Sequence, residues 1–113
     1  MRVALVARDL MFSTRIEDAA QRAGAGVIRV SGPAELPEPA ALDLVFVDWS
    51  EREPTWGQDL RRWLESGASP ARPQIILFGP HTDLDAHAAA REARLGPMWA
   101  RSKLLASLGD LLR

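Results

Sequence analysis

The sequence contains no cysteine. Disulfide bonds, thiolate nucleophiles and cysteine-ligated metal sites are therefore excluded. Net charge is also nearly absent, since 14 basic and 15 acidic residues give a formal charge of −1 at pH 7. A near-neutral domain has no long-range attraction for nucleic acid or anionic lipid, so we expect it to bind neither nucleic acid nor membrane.

Long apolar runs are missing as well. The opening residues, MRVALVARDL, hold only a short apolar stretch before an Arg-Asp pair, and no later stretch approaches the length of a membrane span. We therefore expect no signal peptide, no transmembrane segment and a cytoplasmic location.

The common catalytic and cofactor motifs are also absent. The sequence has no GxGxxG fingerprint, no P-loop and no nucleophile elbow. We expect a protein that is not an enzyme and that binds no cofactor.

What the sequence does contain is an alternation of strand-length apolar runs with helix-length amphipathic segments. Predicted strands cover residues 3–7, 27–30, 44–47, 74–78 and 98–100. Predicted helices cover residues 9–23, 56–65, 83–95 and the segment after Ser102, which we expect to act as its cap. Residues 31–41 hold three prolines and predict a short helical turn or an irregular link.

This alternation predicts an α/β fold with a five-stranded parallel sheet and helices on both faces. We expect residues 1–113 to form one domain, a flavodoxin-like three-layer sandwich with strand order 2-1-3-4-5. In such sheets ligands and chemistry gather at the carboxyl ends of the strands. Those ends hold Arg8, Asp9, Asp48, Trp49, residues 79–81 and residues 101–103.

The order of these segments resembles the receiver domain of bacterial response regulators. An acidic residue follows strand one, LDLVFVDWS ends strand three in an aspartate, PQIILFGP forms strand four, and a short strand precedes a terminal amphipathic helix. The resemblance covers essentially the whole chain. It implies a role in two-component signalling, exerted by binding a protein partner.

In receivers an acidic pair after strand one and a phosphoacceptor aspartate hold Mg²⁺. The resemblance places the phosphoacceptor at Asp48. The acidic pair falls on Ala7 and Arg8, or on Arg8 and Asp9 if the frame shifts by one, so at least one carboxylate is lost. Mg²⁺ prefers oxygen ligands that include carboxylates, and an arginine beside the site repels it. We therefore predict no metal at this site.

Receivers also use a hydroxyl residue after strand four and a lysine after strand five to contact the phosphoryl group. The hydroxyl position falls on Phe78 or Gly79, and neither carries a hydroxyl. The lysine position falls on Arg101, with Lys103 as a substitute two residues later. Because phosphoryl transfer depends on positioning and charge neutralisation, these losses indicate a degenerate, pseudo-receiver domain that works without phosphorylation.

Two alternatives stay open. In the first, Asp48 is phosphorylated and the chain is a working receiver. In the second, the crevice around Asp48 and His81 binds a ligand or catalyses a reaction. A metal site at His81, Asp83 and Asp85 is disfavoured, because residues two apart do not share a helical face, and Thr82 or Asp83 is expected to cap the following helix.

Two arginines are candidates to replace the metal. A buried aspartate needs a partner to stay ionised, and arginine offers a permanently charged, planar one. We expect Arg8 or Arg101 to pair with Asp48 and to hold the domain in one conformation.

The tryptophans suggest an interaction surface. Trp49 and Trp99 are the ones expected to be partly exposed, and exposed tryptophan favours protein interfaces. In receivers the usual partner and dimer surface combines the helix after strand four, the last strand and the last helix. Here that face would present Trp99 and Arg91 to a partner protein or to a second copy of the chain. It would also carry Ala88, Glu92, Arg101 and Lys103.

Overall fold

A computed structural model describes residues 1–67 and 72–113. The strands are β1 (Arg2–Val6), β2 (Gly26–Val30), β3 (Leu44–Asp48), β4 (Gln74–Gly79) and β5 (Met98–Ala100). The α-helices are α1 (Leu10–Arg22), α2 (Trp56–Glu65), α3 (Leu84–Ala93) and α4 (Arg101–Leu111). Three short 3-10 turns cover Pro33–Glu35, Pro39–Ala41 and Trp49–Glu51.

The five strands form one all-parallel sheet in the order β2-β1-β3-β4-β5. The predicted α/β class and strand order are confirmed. The register sets Val6 of β1 beside Val47 of β3, and Asp48 beside Phe78 of β4. The carboxyl ends of β1, β3 and β4 therefore meet at one edge of the sheet, which is called the carboxyl edge below.

Hydrophobic packing divides between the two faces of the sheet. Leu5 packs in a cluster with Ile16 of α1, to which α4 also contributes. Its neighbour Val6 packs in a second cluster with Leu60 of α2, to which α3 also contributes. Successive side chains of a strand point to opposite faces, so the strands supply both clusters in alternation.

The helix starts at the carboxyl edge are set by aspartate caps. Asp9 Oδ1 accepts the backbone N–H of Met11 at 2.9 Å, and Asp83 Oδ1 accepts that of Ala86 at 3.0 Å. The expected cap before α3 is thus Asp83. The expectation that Ser102 caps the last helix is wrong, because α4 already begins at Arg101, directly after β5, and has no side-chain cap.

The proline-rich link between β2 and β3 forms two 3-10 turns, each with a proline in its first turn. This agrees with the expected short or irregular segment, since proline lacks the N–H that a longer helix would need. The predicted break after α2, at residues 67–70, lies almost wholly outside the described residues. No helix in the described ranges is long and apolar enough to cross a membrane.

Candidate functional site

Asp48 lies at the centre of the carboxyl edge, as the last residue of β3. It is 1% exposed, and Ser13 is the other buried polar residue in the described part of the chain. Its Oδ1 accepts a hydrogen bond from Ser50 Oγ at 2.6 Å. Its Oδ2 is buried and has no donor within reach. The carboxyl group is therefore only half satisfied.

Arg101 is the arginine that approaches Asp48. Its Nη2 lies 3.9 Å from Asp48 Oδ1 and donates to Ser50 Oγ at 3.3 Å. The guanidinium carbon lies 5.5 Å from the centre of the Phe12 ring, and Nε is buried without an acceptor. Arg101 is placed here because α4 starts directly after β5, which pairs with β4 next to β3. The contact with Asp48 is long for an ion pair.

Arg8 turns away from Asp48. Its Nη2 contacts Glu53 Oε1 at 3.1 Å, its Nε donates to the carbonyl of Ser31 at 3.2 Å, and its guanidinium lies 5.5 Å from the centre of a Trp56 ring. Both members of the Arg8–Glu53 pair are exposed, at 45% and 58%. Of the two arginines expected to pair with Asp48, Arg8 is therefore wrong.

The residues at the position of the receiver acidic pair have other roles in this chain. Ala7 is buried in the core, and Asp9 uses its carboxylate to cap α1. The carboxylate that faces this junction is that of Glu51, whose Oε1 accepts the backbone N–H of Arg8 at 3.3 Å and of Asp9 at 2.9 Å.

Sequence reasoning missed both Ser50 and Glu51. A signal for them was available, because the polar stretch after β3 is long enough for one 3-10 turn, Trp49–Glu51. The turn places the hydroxyl of Ser50 on Asp48 and the carboxyl group of Glu51 on the backbone N–H groups of Arg8 and Asp9.

Burial dominates the electrostatics of Asp48. It raises the pKa of Asp48 to about 6, against a smaller lowering by the hydrogen bond from Ser50. The negative charge of Glu51 raises this pKa further, and Arg101 lowers it slightly. Burial therefore outweighs the nearby guanidinium, and Arg101 does not hold the pKa of Asp48 at or below its ordinary value.

The receiver hydroxyl position is filled by a core residue and a glycine. Phe78 is buried in the core, with its ring centre 5.1 Å from that of Phe12. A Cβ on Gly79 would come within 2.9 Å of Met98 Sδ. A hydroxyl residue at Gly79 would therefore need the Met98 side chain to shift, and one in place of Phe78 would leave a cavity in the core.

The other predicted residues lie on β5, α3, α4 and the turn after β3. Trp99 is half-buried, with Lys103 Nζ 4.3 Å from its ring centre, and Arg91 is exposed on α3. Lys103 therefore contacts Trp99, and Arg101 is the cation beside Asp48. The expectation that Trp49 is partly exposed is wrong: it is 2% exposed, and its Nε1 donates to the carbonyl of Ala86 at 2.9 Å.

The histidines take no part in the site. His87 Nε2 lies 3.0 Å from the carbonyl oxygen of His81, which ties the first turns of α3 to the preceding loop. Within residues 1–67 and 72–113, no three acidic or histidine side chains converge as metal ligands would. Beside the Asp48 centre lies an open depression of about 200 Å³, lined by Asp9, Met11, Phe12, Arg15 and Arg101.

Comparisons with known proteins do not identify the chain. A scan against protein-family models gave no match. Searches of the curated proteins and of the solved structures also gave no match.

Proposed function

We propose that this chain is a phosphorylation-independent signalling and protein-interaction domain of the receiver type, a pseudo-receiver that resides in the cytoplasm. The proposal includes a flavodoxin-like three-layer sandwich, supported by the strand order and by the division of the core between α1 with α4 and α2 with α3. It rests on the resemblance of the strand ends and on the geometry of Asp48.

The observation that carries the proposal is the burial of Asp48. Phosphorylation requires one carboxylate oxygen to approach a phosphodonor in line, with a cation to neutralise charge. Here the side chain is 1% exposed, and Oδ1 is already occupied by Ser50. Loss of carboxylates at Ala7 and Arg8 removes the usual metal ligands. Both features favour a domain that signals by contact.

A working receiver is the second candidate, and Glu51 favours it. This residue adds a carboxyl group at the same edge of the sheet, where its Oε1 accepts the backbone N–H groups of Arg8 and Asp9, and a bound divalent cation would need such a group. Ser50 and Arg101 add a hydroxyl and a positive charge to the same centre. The two candidates differ in whether Asp48 accepts a phosphoryl group.

The deciding experiment is treatment of the chain with acetyl phosphate and Mg²⁺ at neutral pH, followed by intact-mass spectrometry without acid. We expect no phosphoryl adduct, because Asp48 is buried and the acidic pair that would hold a metal is replaced at Ala7 and Arg8. The control is Asp48→Asn. An adduct on the wild-type chain that this variant lacks would establish the working receiver and overturn the proposal.

The partner surface of the proposal is the face that joins α3, β5 and α4. On this face Lys103 Nζ lies 4.3 Å from the centre of the Trp99 ring. Arg91 is exposed on α3. A half-buried tryptophan with adjacent cations is a typical interface anchor. The partner is a protein, either another chain or a second copy of this one.

A further inference from the structure

We propose that β2 is a self-association surface, at which two copies of the chain join by antiparallel pairing of their β2 strands about a twofold axis at Ile28. This surface is separate from the proposed partner surface, because β2 and β5 form the opposite edges of the sheet. Pairing of the two β2 edges would make one continuous sheet from both copies. It would leave the face of α3, β5 and α4 free at each end of that sheet.

The first support is the unpaired outer edge of β2. Among the residues that the structure describes, this strand pairs with β1 alone. The backbone N–H of Gly26 points inward and donates to the carbonyl of Met1 at 3.0 Å. Alternate residues of a parallel strand bond the same neighbour, so Val27 and Arg29 direct their backbone N–H and carbonyl groups outward. Such an edge is a template for pairing with another chain.

The second support is the lack of the usual protection of a sheet edge. Natural edges are commonly protected by proline, by charged side chains or by a covering helix. β2 holds no proline, and the charge of Arg29 is engaged by Glu17 of α1, with Nε and Oε1 3.4 Å apart. The link from β2 to β3 forms two 3-10 turns and no α-helix. Ile28, which lies beside Ala4 in the register, is 45% exposed.

The outward groups of β2 are complementary to those of a second copy. In an antiparallel pair centred on Ile28, Val27 of one copy faces Arg29 of the other. These two residues exchange both backbone hydrogen bonds, and the twofold axis generates the same pair again. Ile28 then faces Ile28 of the second copy in a pair without hydrogen bonds, with Cα atoms about 4.5 Å apart. The most exposed apolar side chain of the strand is thus buried against its own copy.

Charge and apolar burial select this register over its two neighbours. One neighbouring register would set Arg29 directly opposite Arg29 of the second copy, and like charges in that position are destabilising. The other would set Ile28 opposite Gly26, which buries less apolar surface. In the proposed register the two arginines are diagonal neighbours, about 7–8 Å apart. Each keeps the carboxylate of its own Glu17.

The first experiment uses the absence of cysteine in the chain. Ile28→Cys introduces a single thiol at the axis, where the expected Cα separation suits a disulfide bond. We expect mild oxidation of this variant to give a disulfide-linked dimer.

The matched control is Gly26→Cys, which changes the same face and edge of β2 at a position with open space for a Cβ. In the proposed register its two copies are about 13 Å apart along the strands. That distance is too long for a disulfide bond, so we expect cross-linking at least about tenfold slower than for Ile28→Cys.

The second experiment measures the dimer dissociation constant of the full chain by sedimentation over a range of concentrations. Ile28→Lys sets two like charges opposite each other at the axis and removes the apolar contact. We expect it to weaken the dimer by about tenfold or more. The matched control is Leu84→Lys at the start of α3, which makes the same change at a side chain that is 76% exposed. It should leave the dissociation constant unchanged.

Three results would overturn the proposal. The first is a chain that stays monomeric up to about 1 mM, which would leave the edge of β2 to a strand of another protein. The second is equal cross-linking of Ile28→Cys and Gly26→Cys, which would indicate random collision. The third is a dimer that Ile28→Lys does not weaken. Its loss in Lys103→Glu would then place self-association on the face of α3, β5 and α4. A phosphoryl adduct on Asp48 would overturn the proposed function and leave this proposal standing.

Discussion

Two aspartates lie at the two ends of β3 and differ in burial, in hydrogen bonding and in the direction of their pKa shifts. Asp43 precedes β3, is exposed, and accepts the backbone N–H of Arg2 at 2.7 Å and its Nε at 3.4 Å. Asp48 ends the strand, is buried, and has Arg101 only at 3.9 Å. The hydrogen bonds from Arg2 lower the pKa of Asp43, whereas burial raises that of Asp48 to about 6.

The difference teaches that an arginine nearby does not determine the charge state of a carboxylate. Hydrogen bonds from a backbone N–H stabilise the ionised form directly, and water can complete the solvation of an exposed oxygen. A buried oxygen without a donor receives neither benefit, so desolvation decides its state. A site of this kind stores unfavourable energy in the folded protein, which is typical of functional positions.

The largest effect is expected from Asp48→Asn. Because the pKa of Asp48 is higher folded than unfolded, its contribution to stability is fully present at low pH and is lost as pH rises through about 6. Raising the pKa of Asp48 by about two units lowers the stability of the folded protein by about 3 kcal/mol at pH 7, and asparagine avoids this loss. Asparagine also weakens the contact with Arg101, so the net stabilisation is smaller. We expect Asp48→Asn to stabilise the protein by about 1–3 kcal/mol at pH 7 and by almost nothing near pH 4.

Urea unfolding at the two pH values measures this difference. Destabilisation at pH 7 would show that the ionised carboxylate is favourable in the folded state, and that Asp43 and Asp48 are alike after all.

A smaller effect is expected from Arg101→Ala. Removing the guanidinium that approaches Asp48 raises the pKa of Asp48 further, and should destabilise the protein at pH 7 but hardly at all near pH 4, where Asp48 is neutral. Since Arg101 is 36% exposed, we expect a loss of about 1–2 kcal/mol, between the values for exposed and buried pairs. The matched control is Arg8→Ala, whose exposed partner Glu53 limits the loss to about 1 kcal/mol or less. Equal losses for the two variants in urea melts would contradict the assigned partners.

Much of the fold could be predicted because it depends on pattern. The apolar runs at β1 and β3 and the amphipathic spacing of α1 indicate which faces are buried, and right-handed crossovers then place helices on both faces of the sheet. The strand order was expected from the flavodoxin-like pattern for five strands. The site could be predicted only in part. Asp48 ends β3 and Arg101 directly follows β5, so both lie at the carboxyl edge. Their placement could be predicted because it depends only on where the strands end.

What could not be predicted depends on side-chain direction in loops. Arg8 has several acceptors within its reach, and its choice of Glu53 and Ser31 depends on loop geometry that no periodicity encodes. Trp49 follows a strand end and would be exposed in an open loop, but the 3-10 turn that begins with it directs the indole toward α3. The same turn brings the Glu51 carboxyl group to the backbone N–H groups of Arg8 and Asp9, which is why this carboxyl group was missed.

The smallest effect is expected from Asp43→Asn, and its sign should be opposite to that of Asp48→Asn. Because the pKa of Asp43 is lower folded than unfolded, its contribution is present above the unfolded value of 3.8 and disappears as pH falls below it. Asparagine keeps an oxygen for the backbone N–H of Arg2 but loses the charge, so a slight destabilisation is expected at pH 7. Water screens an exposed pair, and moderate salt should reduce the loss further. Parallel urea melts of the two asparagine variants at pH 7 measure both signs. A stabilising Asp43→Asn would mean that net negative charge, rather than burial, determines the behaviour of both aspartates. In that case the contrast between the two ends of β3 would disappear.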